Sequence, residues 1–149
     1  MRFIVTVLPI LSILLQVPGC SQDPVNYETQ LLKNNNVYYK KNQSKPHTGP
    51  IFSLYPNGKK KNSGNLFNGE KDGLWTEWYQ NGQKKSEAQF VNGEIKGSRI
   101  EWYENGYKKE EGNFVNGNQN GKWTYYNKDG SIDGTEEYWN NYIIKAIIT

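Results

Sequence analysis

Four glycines spaced 24 residues apart, Gly49, Gly73, Gly97 and Gly121, constrain this chain more than any other feature. Each opens a unit whose later positions also repeat. Position six reads Leu54, Trp78, Trp102 and Tyr126, and positions nine and ten read Asn57-Gly58, Asn81-Gly82, Asn105-Gly106 and Asp129-Gly130. Position eighteen reads Leu66, Phe90, Phe114 and Tyr138, followed by a second Asn-Gly at Asn68-Gly69, Asn92-Gly93 and Asn116-Gly117. A fixed period of this length marks a repeat architecture, in which each unit is one supersecondary element that buries its apolar face on its neighbours. Such a chain presents a surface rather than enclosing a catalytic cleft.

The repeat itself reads as strands. Asn-Gly between apolar and aromatic residues is the strongest short-range hairpin signal, because both central residues of a type I′ turn need positive φ. The flanks, residues 74–79 and 84–91, are rich in strand formers and carry no helix caps. The expected fold is all-β: an elongated antiparallel meander of consecutive hairpins in a single sheet, with capping segments. Four repeats, 49–72, 73–96, 97–120 and 121–141, advance roughly 10 Å each at about 4.8 Å between strands. Residues 27–48 read as an N-terminal capping hairpin around residues 33–36, and residues 142–149 as a closing strand. A two-residue turn at the first Asn-Gly sets position three against position sixteen: Trp75 opposite Ala88, Ile51 opposite Gly64, Arg99 opposite Gly112. It also puts Trp75, Tyr79, Ala88 and Phe90 on one face, and Thr76, Trp78, Lys85 and Glu87 on the other. Trp78 then opposes Lys85 and Trp102 opposes Lys109, with cation–π contacts of about 0.5–1 kcal/mol. A bulge shifts this assignment by one residue.

The N-terminus reads as an export signal. Residues 3–15 form an apolar run after a single basic residue, Arg2, too short for the roughly 18 residues of a membrane-spanning helix. The run ends at Val17-Pro18-Gly19-Cys20 and turns polar at once. This resembles a bacterial lipoprotein signal over residues 1–19, matched at Val17, Gly19 and Cys20 and departing from it at Pro18. The resemblance implies cleavage before Cys20, a thioether-linked diacylglyceryl group and an acylated amino terminus, with residues 20–26 as a tether. Two or three acyl chains anchor firmly where one does not. The plain alternative is an exported protein with one unpaired Cys. Ser21 in place of Asp after the Cys resembles an outer-membrane destination where a cell has two membranes.

The pattern G-x-W-x-x-W-Y-x-N-G-x-K-K followed by F-V-N-G closely resembles the MORN-repeat variant of the YwqK family of antitoxin-like bacterial proteins. The match covers about residues 37–141, with His47-Thr48-Gly49 as the lead-in. It departs from the pattern at Ile51 and Arg99, which replace the tryptophan of position three, and at Asn127, which replaces the repeat tyrosine. The resemblance implies an array of hairpins and, for function, partner or membrane phospholipid binding.

Little in the composition supports catalysis. The one histidine, His47, stands alone, and no Cys/His set has metal spacing. No nucleophile elbow surrounds a serine, and the glycines follow the repeat at turn positions rather than cradling phosphate. Glu77, Glu101, Glu87 and Glu111 recur as solvated strand positions. Removing residues 1–19 takes away one of 18 basic residues and none of 15 acidic ones, so the net charge falls from +3 to +2. That is no nucleic-acid-binding balance. No cofactor or metal is expected. Binding is the remaining class. Aromatic density points to a contact surface of Trp78, Trp102 and Tyr126 with Lys85 and Lys109. The blander reading makes the aromatics the core of a thin sheet. The in-phase pairs Lys60-Lys61, Lys84-Lys85 and Lys108-Lys109 suggest a stripe for anionic lipid, worth about 1 kcal/mol per lysine, or simply solvated lysines that keep the sheet from aggregating. The leading expectation is a non-enzymatic, envelope-anchored lipoprotein whose repeat sheet binds a protein partner. A toxin bound in an immunity role is a special case, and a membrane-apposed module on anionic phospholipid is the alternative.

Overall fold

The computed structural model describes residues 23–148, so Cys20 and the signal segment lie outside the described residues. The chain is all-β. A short β1 (Val25–Asn26) and one helical turn, α1 (Tyr27–Gln30), precede the hairpin of β2 (Leu31–Asn34) and β3 (Val37–Lys40). Nine strands follow in meander order: β4 (Gly49–Leu54), β5 (Lys60–Phe67), β6 (Glu70–Trp78), β7 (Lys84–Val91), β8 (Glu94–Trp102), β9 (Lys108–Val115), β10 (Asn118–Tyr126), β11 (Ile132–Trp139) and β12 (Tyr142–Ile148). They form one antiparallel sheet in sequence order, extended by β1, which pairs in parallel with β4. The capping hairpin forms its own two-stranded sheet and begins at Leu31, not Tyr27, because the Asn26 side chain accepts from the Glu28 N–H and starts a helical turn.

The two Asn-Gly dipeptides of each of the first three repeats make different turns. The second is the two-residue type I′ turn, with Asn68 at φ 48° and Gly69 at φ 79°, and the same at 92–93 and 116–117. The first is longer. The Gly82 N–H donates to the Tyr79 carbonyl at 2.9 Å and the Tyr79 N–H to the Gln83 carbonyl at 2.8 Å. There only the glycine has positive φ, which is a type I turn closed by a bulge. The same pair of bonds recurs at 55–59, 103–107 and 127–131.

The repeat-opening glycines sit inside strands rather than in turns. The register between β5 and β6 shifts between Ser63 and Asn65, so Gly73, Leu74 and Trp75 lie opposite Gly64 alone. Gly73 takes φ 73° with open space around it, so backbone conformation, not crowding, demands a glycine there.

Position three supplies the core on one face. Trp75 and Ala88 oppose each other and both are buried. Trp75 meets Phe90 edge-on at 6.1 Å and donates its indole N–H to the Asn65 carbonyl at 3.0 Å. Val25 and Leu31 close over Ile51, Leu66 and Trp75, so the N-terminal segment caps this end of the face. Two repeats on, Trp123 is fully buried between Phe114 and Tyr138, with ring centroids at 5.3 and 6.1 Å. Between the two tryptophans stands Arg99, whose guanidinium pairs with Glu101 and Glu110. A polar bridge thus replaces the third indole.

Candidate binding surface

The bulge at the longer turns corrects the pairing expected across each hairpin. It gives the second strand one extra residue, so Trp78 opposes Lys84 rather than Lys85, and Trp102 opposes Lys108 rather than Lys109. Leu54 likewise opposes Lys60. Two of these lysines also reach the aromatic of the next repeat: Lys60 Nζ lies 5.7 Å from the Trp78 ring centroid and Lys84 Nζ 5.6 Å from that of Trp102. The result is a row across eight strands beside the longer turns, in the order Leu54, Lys60, Trp78, Lys84, Trp102, Lys108, Tyr126, Ile132. Trp78, Trp102 and Tyr126 are all half-buried. The structure thus brings Trp78, Trp102 and Tyr126 into one line and leaves Lys85 and Lys109 out of it.

Backbone anchoring fixes the spacing of this row. The Tyr55 hydroxyl donates to the Trp78 carbonyl at 2.6 Å, that of Tyr79 to the Trp102 carbonyl at 2.8 Å, and that of Tyr103 to the Tyr126 carbonyl at 2.8 Å. A second rung joins the turns: Asn81 Nδ2 donates to the Glu104 carbonyl and Asn105 Nδ2 to the Lys128 carbonyl, at 2.8 and 2.7 Å. Each such asparagine also accepts from the N–H two residues on, as Asn81 Oδ1 does from Gln83 at 2.8 Å. Among the described residues no further longer turn follows the fourth, and there the two donors change. Asp129 only accepts, and Asn127 turns to the Ser131 hydroxyl. The departure at Asn127 therefore marks the last repeat. These ladders escape a reading of single repeats, though the recurrence of Tyr55, Tyr79 and Tyr103 was a signal for them.

The charges of the lysine pairs are mostly spent within the sheet. Lys84 meets Glu87 at 2.6 Å and Lys108 meets Glu111 at 2.7 Å, while Lys85 meets Glu77 at 3.6 Å and Lys109 meets Glu101 at 3.4 Å. Lys61 holds Glu28 at 2.9 Å. Among the described residues Lys60 alone of the six lysines has no carboxylate partner, since Ser63 occupies the place of Glu87 and Glu111. The bonds from Lys108 and then Tyr126 hold the Glu111 carboxyl below its ordinary pKa, and Glu111 in turn pushes the Tyr126 phenol up to about 12. At neutral pH the Tyr126 end of the row is a neutral phenol bonded to an ionised carboxylate.

Among the described residues no cluster of His, Cys, Asp and Glu could hold a metal ion, and no helix is long and apolar enough to cross a membrane. Buried His47 takes part in the fold through its backbone, donating to the Tyr38 carbonyl and accepting from the Gly69 N–H. No protein-family model matches the chain, and no curated protein matches it.

Proposed function

We propose that this protein is a non-catalytic, envelope-anchored binding module that holds a protein partner against the row of Trp78, Trp102 and Tyr126. The observation behind this reading is the alternation of half-buried aromatics with lysines that are already paired. Aromatics in a fixed line, flanked by charges, form an amphipathic patch with an apolar centre and a charged rim, as protein interfaces have. Pairing of five of the six lysines removes most of the charge that anionic lipid would need. This favours a protein partner over the membrane-apposed alternative. A toxin neutralised by such a module fits the resemblance to the antitoxin-like repeat family and is a special case of the same reading.

The test compares wild type with the Trp78→Ala, Trp102→Ala double variant in pull-downs from the native envelope. The reading expects one defined partner to bind directly, with at least a tenfold loss of affinity in the double variant and an unchanged β-sheet circular dichroism spectrum. Flotation of the chain from residue 21 onward on anionic vesicles, lost in high salt, is the result that would replace this reading with the lipid one. The anchor has its own readout. Intact-mass analysis is expected to show cleavage before Cys20 and acyl mass on it, both abolished by Cys20→Ser, and an unmodified wild-type N-terminus overturns it.

A further inference from the structure

The two ends of the ten-stranded sheet differ. At one end the sheet stops at β1, two residues long and followed at once by α1, so it offers no length of strand. At the other, among the described residues β12 pairs with β11 alone, and all seven of its residues are exposed. Tyr142 is 76 %, Ile144 65 % and Ile148 89 % exposed, and Trp139 beside them 63 %. The closing strand expected at residues 142–149 therefore pairs with the sheet but does not cap it. Proteins usually blunt such an edge with several charges, a proline, a bulge or a covering segment. β12 has a single charge, Lys145, and one bulge, at Ile144, which leaves residues 145–148 in regular register with β11.

We propose that β12 is a dimer interface, in which two copies of this chain pair their last strands antiparallel about a two-fold axis to form one continuous sheet. The occupant follows from the strand itself. The segment Ile143-Ile144-Lys145-Ala146-Ile147-Ile148 has apolar residues at mirrored places, so it complements its own reverse. A two-fold axis normal to the sheet keeps each face on its own side and sets one residue against itself. Centring on Lys145 opposes two ammonium groups, which is destabilising. Centring on Ala146 puts the smallest side chain on the axis within the regular stretch of β12, with the bulged Ile144 at its end near Ile148 of the second copy. Lys145 then faces Ile147 of the second copy and keeps Glu137 as its neighbour on β11. Because β1 cannot receive a strand, head-to-tail growth is blocked and self-pairing closes at two copies. The paired segment is short, at the small end of specific interfaces, so the dimer depends on concentration.

The experiment uses the full chain with Cys20→Ser, purified in mild detergent, so that any introduced cysteine is the only one. Sedimentation is expected to show a monomer–dimer equilibrium, shifted to monomer at least tenfold by Ala146→Lys. Mild oxidation is expected to trap Ala146→Cys as a disulfide-linked dimer and to leave Lys145→Cys largely uncrosslinked. Circular dichroism identifies any variant that fails to fold, and the cysteine pair reads the register without adding charge. A monomer at every concentration, with no cross-link at position 146, overturns the proposal and leaves the edge to a strand from another protein. A dimer that ignores Ala146→Lys, or that cross-links through position 145 instead, overturns it equally.

Discussion

Trp123→Ala is expected to lower the unfolding free energy by about 3–5 kcal/mol, the range for deleting a buried indole that leaves a cavity behind. Trp123 is the one tryptophan with no exposed surface, held edge-on by Phe114 and Tyr138 and lying over Gly112. A thin sheet has no second layer to collapse into the space, so little of the loss is recovered by relaxation. Trp78→Ala, at a half-buried position with one lysine over its ring, is expected to cost distinctly less. Urea unfolding followed by circular dichroism separates the two through their midpoints at constant m-value. Equal costs at Trp123 and Trp78 would refute the division into a core face and a contact face.

That division was partly legible in the sequence. The 24-residue period set the hairpins, and the position-three to position-sixteen pairs, such as Trp75 with Ala88 and Arg99 with Gly112, stand in the sheet as the repeat implies. They are legible because a large side chain opposite a Gly or Ala covers backbone that would otherwise lie bare. The lysine partners were not legible. Both turns of each of the first three repeats contain Asn-Gly, yet only one of the two is a two-residue turn. Asn81 keeps negative φ while its side chain accepts from the Gln83 N–H, a local bond that Asn57, Asn105 and Asp129 repeat at the other three longer turns. That local bond, and not the reach to the next repeat, is common to all four longer turns, and the turn inserts the bulge that exchanges Lys85 for Lys84. The exposed edge at β12 was hidden for a different reason. An apolar terminal strand reads as a cap until its position as the last strand of the sheet is known.

The close approach of Trp123 to Gly112 yields the second large effect. A methyl group on Gly112 would run into the indole Cδ2 and Cε2 of Trp123, well inside contact distance. Gly112 lacks the positive φ of the repeat-opening glycines, so its backbone tolerates alanine and only the ring forbids it. Gly112→Ala is therefore expected to cost about 1–3 kcal/mol through forced displacement of the ring. In the Trp123→Ala background the methyl enters vacated space, and the cost of Gly112→Ala should largely vanish. Contacting residues commonly show coupling of about 0.5–3 kcal/mol in such a cycle, whereas independent sites add within about 0.5 kcal/mol. Gly121 supplies the control. Its φ is 74° with nothing within 4 Å of an added Cβ, so Gly121→Ala costs about 1–2 kcal/mol through the backbone alone. That cost should be the same with or without Trp123. Strong coupling at Gly112 together with additivity at Gly121 would separate the two uses of glycine in this repeat, one making room for an aromatic ring and the other bending the strand. Additivity at both positions would mean that the ring yields freely and that the 112–123 contact contributes little to the core.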